Sequence, residues 1–124
     1  MTKWIFFGTA GLLGTFARYL ISLGVQNLLG FQFPYGTLTV NCLGCVISGF
    51  FFTLSEIKEL GDSHIRFLVQ IGFCGALTTF SSLIFETMSL VRNHEFTLAC
   101  ANVGSNLIGG ILSFLLGCFL ANIL

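Results

Sequence analysis

A chain of 124 residues that is 55% hydrophobic and 8% charged, with a mean hydropathy of +0.94, lies far outside the composition of a water-soluble domain. Its formal net charge is zero and it carries no basic run, which excludes the electrostatic footprint of a nucleic-acid-binding protein. The charges fall almost entirely between apolar stretches, as required when each stretch crosses a hydrocarbon core roughly 30 Å thick.

Residues 4–23 form the first predicted span, and apolar content continues through Leu29 before Gly30 and Pro34 mark a turn. The start, Met1-Thr2-Lys3 followed by an apolar run, imitates a secretory signal. Arg18 interrupts that run and no small-residue cleavage site follows, so the segment reads as a retained helix. Residues 35–54 form the second span. Glu56, Lys58, Glu59, Gly61 and Asp62 then form a solvated loop, and residues 67–91 make the third span. Arg92, His94 and Glu95 lead into the last span, residues 96–124, which holds no charged residue.

Only helices suit these spans, because an open sheet leaves backbone groups unpaired in lipid and a barrel requires a polar alternation that is missing. Short connections make neighbouring helices antiparallel, giving one four-helix transmembrane domain over residues 1–124. Lys3, Lys58 and Arg66 lie on the face that holds both termini and Arg92 on the other, a weak orientation bias. Such a bias suits a chain that inserts both ways up, and two oppositely oriented copies can form a twofold dimer. Small residues at helical spacing mark packing faces: Gly11 with Gly14, Cys45 with Gly49, Ser105 with Gly109, and Ser113 with Gly117. The five cysteines all fall in apolar segments and their odd number argues against a disulfide framework. The C-x-x-C of Cys42 and Cys45 therefore reads as small buried hydrophobes.

The polar residues inside the spans carry the functional signal. Arg18 has two readings, a functional charge or a side chain snorkelling about one and a half turns to the headgroups. Glu86 sits at a similar depth near the end of the third span, and antiparallel threading allows it to pair with Arg18. Asn41 is either helix glue or a pore donor, whereas Asn102, Asn106 and Gly110 recur every four residues and predict a wetted wall. The segment 72–82, rich in glycine, β-branched residues and hydroxyls, predicts a helix broken near mid-membrane. The carbonyls freed there must be buried in protein, face water or bind an ion.

Gly11-x-x-Gly14-x-x-x-Arg18-Tyr19, Gly36-Thr37-Leu38-x-Val40-Asn41, and Gly72-Phe73-Cys74-Gly75-x-x-Thr78-Thr79-Phe80-Ser81 with Glu86 downstream occur in order across the chain. Together they resemble the Fluc, or CrcB-type, family of fluoride channels. The resemblance implies an antiparallel dual-topology dimer in the cell membrane, with two fluoride pathways lined by both subunits. It also implies a structural sodium ion at the dimer axis, held by the carbonyls of Gly75 and Thr78. Phe80 would be the aromatic pore residue, its positive ring edge facing the anion, with Asn41, Ser81 and Ser82 as donors. Asn102 and Asn106 would occupy the polar track of the fourth helix, where hydroxyl residues are commoner. A second pore phenylalanine is usual where this chain has Leu83. Leucine there either fills space in a working homodimer or marks one half of a heterodimer with a paralogue.

The main rival is a small dual-topology multidrug or cation antiporter, which needs a membrane-embedded acid to exchange protons. Glu86 is the one membrane acid, it lies near a span end, and the first span offers Arg18 instead. A noncatalytic assembly subunit would require neither a break nor a polar stripe. An enzyme is not expected, because no nucleophile, base and orienter set is present and His64 and His94 lie alone in connections.

Overall fold

The computed structural model describes residues 2–57 and 63–124. Helix α1 covers Thr2–Leu29, α2 Tyr35–Ile57, α3 Ser63–Arg66, α4 Gly75–Leu77, α5 Phe80–Arg92 and α6 Phe96–Asn122, with a π-helical stretch Phe67–Cys74 between α3 and α4. Segments Thr2–Leu29, Tyr35–Ile57, His64–Arg92 and Phe96–Ile123 are long and apolar enough to cross a membrane. At 1.5 Å per residue the 28 residues of α1 reach about 42 Å, enough for the hydrocarbon core and both interfaces. Each expected span is present, with ends moved by a few residues. The charged loop expected between the second and third spans falls, apart from Glu56, outside the described residues.

The helix ends follow local chemistry. Gly30 adopts φ +92°, a left-handed conformation that stops α1, and its N–H bonds the Gln26 carbonyl at 2.9 Å. The Gln26 side chain closes the turn by donating to the carbonyls of Gly30 (2.6 Å) and Phe33 (2.8 Å) and accepting from the Gly36 N–H at 3.0 Å. After α5, His94 takes φ 62°. The bonds Glu95 N–H to Leu90 O (2.9 Å) and His94 N–H to Val91 O (3.0 Å) complete a Schellman stop without glycine.

Helices α2 and α6 form the most extensive contact. A Cβ at Gly49 would land on the Phe114 carbonyl, and one at Gly117 on the Val46 carbonyl and 2.7 Å from the Phe50 nitrogen. These glycines let the two backbones touch, the small-residue packing expected where lipid supplies no hydrophobic drive between helices. Gly14 does the same for α1 against the Phe73 carbonyl and the Ala76 Cβ, whereas Gly11 is looser, with its nearest neighbour, Gly72 O, at 3.9 Å. Large apolar side chains such as Trp4, Leu13, Phe85, Ile108 and Phe119 are exposed. Faces of that character suit lipid or another protein surface rather than water.

Candidate functional site

The third span is broken. Thr78 (φ −83°, ψ 156°) and Thr79 (φ −150°, ψ 117°) are extended, between the one-turn α4 and the start of α5. The sequence predicts this interruption within 72–82, and the structure narrows it to two residues. Upstream, the Gly75 N–H bonds the Gln70 carbonyl five residues back, so the helix is underwound and widened before it breaks. Thr78 turns its own N–H and its hydroxyl to the Cys74 carbonyl, both at 2.9 Å.

Asn41 closes the break from α2. Its Oδ1 accepts the Thr79 N–H at 2.8 Å and its Nδ2 donates to the Thr79 carbonyl at 3.3 Å and to Asn106 Oδ1 at 2.8 Å. Each such backbone group left unpaired at this depth would cost about 1–3 kcal/mol. The Thr79 hydroxyl caps α5 by accepting the Ser82 N–H at 3.2 Å and donating to Ser82 Oγ at 3.1 Å. Among the described residues, no backbone bond runs from the Phe80–Leu83 amides back to α4. The carbonyls from Gly75 to Thr78 therefore lack helical donors, and they are neutral oxygens of the kind a hard cation takes. Gly75 is exposed on the protomer, and a Cβ there would meet only Gln70 O at 3.7 Å.

A cavity of about 560 Å³ lies against this break, lined by the hydroxyl-bearing Thr15, Tyr19, Ser22, Thr37, Thr79, Ser81 and Ser82 together with Arg18, Leu23 and Glu86. Sequence reasoning singled out Arg18, Ser81, Ser82 and Glu86 for the site, and these four share it. It missed Thr15 and Ser22, although their spacing of three before and four after Arg18 puts them on the same helix face. Arg18 and Glu86 share the cavity without forming the direct pair that threading allows. Glu86 instead accepts the Thr37 hydroxyl at 2.6 Å through Oε1, while its Oε2 is buried with no hydrogen-bond partner. Glu86 also borders a second cavity of about 310 Å³ lined by Gln26, Asn93 and Glu95 among others.

Other residues named from the sequence sit elsewhere in the fold. The stripe predicted to form a wetted wall is dry within the protomer: Asn102 is 0% exposed and Asn106 7%. The reason is satisfaction from within, because Asn106 Nδ2 donates to the Asn102 carbonyl (2.9 Å) and Oδ1 (3.1 Å) and Asn102 Nδ2 donates to Thr87 Oγ1 (3.1 Å). Phe80 is 72% exposed and projects from the chain, whereas Leu83, one turn later, is 5% exposed. The cysteines are free, and the thiols of Cys42 and Cys45 fill space against Gly109 and Gly110.

A family profile described as "CrcB-like protein, Camphor Resistance (CrcB)" matches residues 5–118. The chain belongs to this CrcB family. Curated relatives named "Fluoride-specific ion channel FluC" include one from Nitrosococcus oceani, 44% identical over 90% of this chain and 89% of the relative. Another, from Dehalococcoides mccartyi, is 34% identical over 100% of this chain and 95% of the relative. A third, from Chlorobium phaeobacteroides, is 40% identical over 94% and 90% respectively. The CrcB match spans all four helices, so the break and the cavity beside it lie inside the shared region.

Proposed function

We propose that this chain is a fluoride channel that lets fluoride leave the cytoplasm passively and so relieves its toxicity. The observation that carries this reading is the hydroxyl-rich cavity against a broken helix at membrane depth, in a chain whose relatives are named fluoride-specific channels. Fluoride is small and strongly hydrated, so a path through low dielectric must replace lost water with donors. Ser22, Ser81 and Ser82 supply hydroxyls and Arg18 supplies fixed positive charge, while the Thr15 hydroxyl is donated to the Gly11 carbonyl. The exposed Phe80 ring offers its positive edge to an anion at the same level.

The working unit in this reading is a homodimer of oppositely oriented copies. It supplies a covering for the large apolar surface, for Phe80 and for Gly75. A structural sodium ion, held by carbonyls of Gly75 and Thr78 from both copies, would neutralise the dipoles of the freed carbonyls at the axis. Asn41, Phe80, Ser81 and Ser82 face or support the pathway, and Leu83, Asn102 and Asn106 support it from within the protomer.

Fluoride efflux from liposomes holding the purified chain tests the function. Rapid fluoride release under a membrane potential, without chloride release, is the expected result. Proton exchange driven by cationic drugs without fluoride current would establish the antiporter instead. Replacing all sodium by a large organic cation is expected to silence the current, and undiminished flux would remove sodium from the reading.

A further inference from the structure

Five hydrogen bonds involving side chains form a single path that begins at Thr79, the N-cap of α5, and ends at Leu83 in its first turn. Thr79 N–H donates to Asn41 Oδ1 (2.8 Å), Asn41 Nδ2 to Asn106 Oδ1 (2.8 Å), and Asn106 Nδ2 to Asn102 Oδ1 (3.1 Å). Asn102 Nδ2 then donates to Thr87 Oγ1 (3.1 Å), and the Thr87 hydroxyl donates to the Leu83 carbonyl at 2.7 Å. Every link runs the same way, from donor to acceptor, through α2 and α6 and back.

Backbone groups fix that direction. A backbone N–H can only donate, so Thr79 forces Asn41 to present its oxygen to the break and its amide nitrogen to Asn106. A carbonyl can only accept, so the Asn102 carbonyl, 2.9 Å from Asn106 Nδ2, forces the Asn106 oxygen toward Asn41. At the far end the Leu83 carbonyl takes the Thr87 proton and leaves the Thr87 oxygen to accept from Asn102. No amide in the path can turn over without losing two bonds. Because Asn102 and Asn106 are almost fully buried, water cannot replace them cheaply.

We propose that Asn106, Asn102 and Thr87 act as one directional relay that holds the Asn41 amide in register with the break, making Thr87 a positioning residue for conduction that it does not contact. This rests on the channel reading above. Thr87 stands two turns from Thr79, and its hydroxyl fixes Asn102, whose side chain bonds Asn106, which in turn bonds Asn41. Hydroxyl loss leaves Asn102 Nδ2 buried without an acceptor, and a shift of the Asn102 side chain toward another acceptor loosens its bond to Asn106 and, through Asn106, the support of the Asn41 amide.

The test compares Thr87→Val, which keeps the shape and removes the hydroxyl, with Thr87→Ser, which keeps the hydroxyl. Two readouts are taken on the reconstituted full chain: fluoride efflux, and the NMR shifts of the Thr79 backbone amide and the Asn41 side-chain amide. Thr87→Val is expected to lower efflux about tenfold, the equivalent of about 1.4 kcal/mol, and to move both amide signals, with Thr87→Ser recovering most of each. Asn102→Leu is the second variant should Thr87→Val not assemble, and the same two changes are expected. Unmoved Asn41 and Thr79 signals in Thr87→Val would overturn the relay, as would equal damage from valine and serine. A parent chain that carries no fluoride while the amide signals still respond to Thr87 would instead overturn the channel reading and leave the relay standing.

Discussion

Gly44→Ala is the substitution whose cost is most directly set by the break. A Cβ at Gly44 would land on the Thr78 Cγ2 methyl, with Thr78 Cβ at 3.7 Å and Leu77 Cδ2 at 3.8 Å close behind. Thr78 is β-branched and its hydroxyl is committed to the Cys74 carbonyl at 2.9 Å, so rotating the methyl away sacrifices that bond. The lost hydrogen bond costs about 1 kcal/mol, and the alternative, pushing α2 from the break, costs about 1–3 kcal/mol as overpacking. Since only one of these routes is taken, we expect Gly44→Ala to destabilise the protein by about 1–3 kcal/mol and to reduce fluoride efflux. Thr78→Ser removes the offending methyl and keeps the hydroxyl, so the double variant is expected to recover at least about 1 kcal/mol of coupling. Unfolding in detergent and efflux from liposomes measure both quantities. A neutral Gly44→Ala, or a double variant whose losses simply add, would refute the proposed collision.

Asn41→Asp replaces the amide donor to Thr79 and Asn106 by a carboxylate that repels a passing anion when ionised; fluoride flux is expected to vanish, and parent-like flux in a well-folded dimer would reduce Asn41 to a packing role. Homodimers of the parent chain are expected to conduct, because Leu83 is buried and fills space within its own protomer. Near-silent parent vesicles beside conducting Leu83→Phe vesicles would refute that. Gly117→Ala drives a methyl into the Val46 carbonyl and is expected to destabilise the α2–α6 contact by about 1–3 kcal/mol. Thermal unfolding measures this, and an unchanged midpoint would count against the close approach.

The spans were legible because apolar runs bounded by charge and turn residues leave few alternatives in lipid. The break was legible as a region, since the glycines and hydroxyls around Thr78 disfavour a helix, but not as two residues. Its position depends on Asn41, which lies 38 residues away and supplies the bonds that make an extended Thr79 tolerable. The π-helical Phe67–Cys74 stretch had no signal, because its residues are ordinary for any buried helix. The asparagine stripe was legible as a shared helix face, while the partners of that face were not. Periodicity reports which residues share a face, and only packing decides whether that face meets water or Asn41 and Thr87. Arg18 and Glu86 border one cavity, and the hydroxyl of Thr37, notable in the sequence only as part of a longer motif, takes the contact with Glu86.

The dependence of Asn41 on distant partners bears on how the chain is made. Thr79 is synthesised 38 residues after Asn41 and Asn106 65 residues after it. At synthesis rates of about 5–20 residues per second, the second helix exists for roughly 3–13 s before its last amide partner leaves the ribosome. During that interval a polar side chain stands in a half-built bundle whose closing strut is the final span. Assembly is therefore ordered by synthesis, with α6 arriving as both the packing partner of α2 and the keystone of its hydrogen bonds. A chain stalled before Asn106 could already bond Asn41 to Thr79, but would leave the Asn41 Nδ2 without its acceptor on α6.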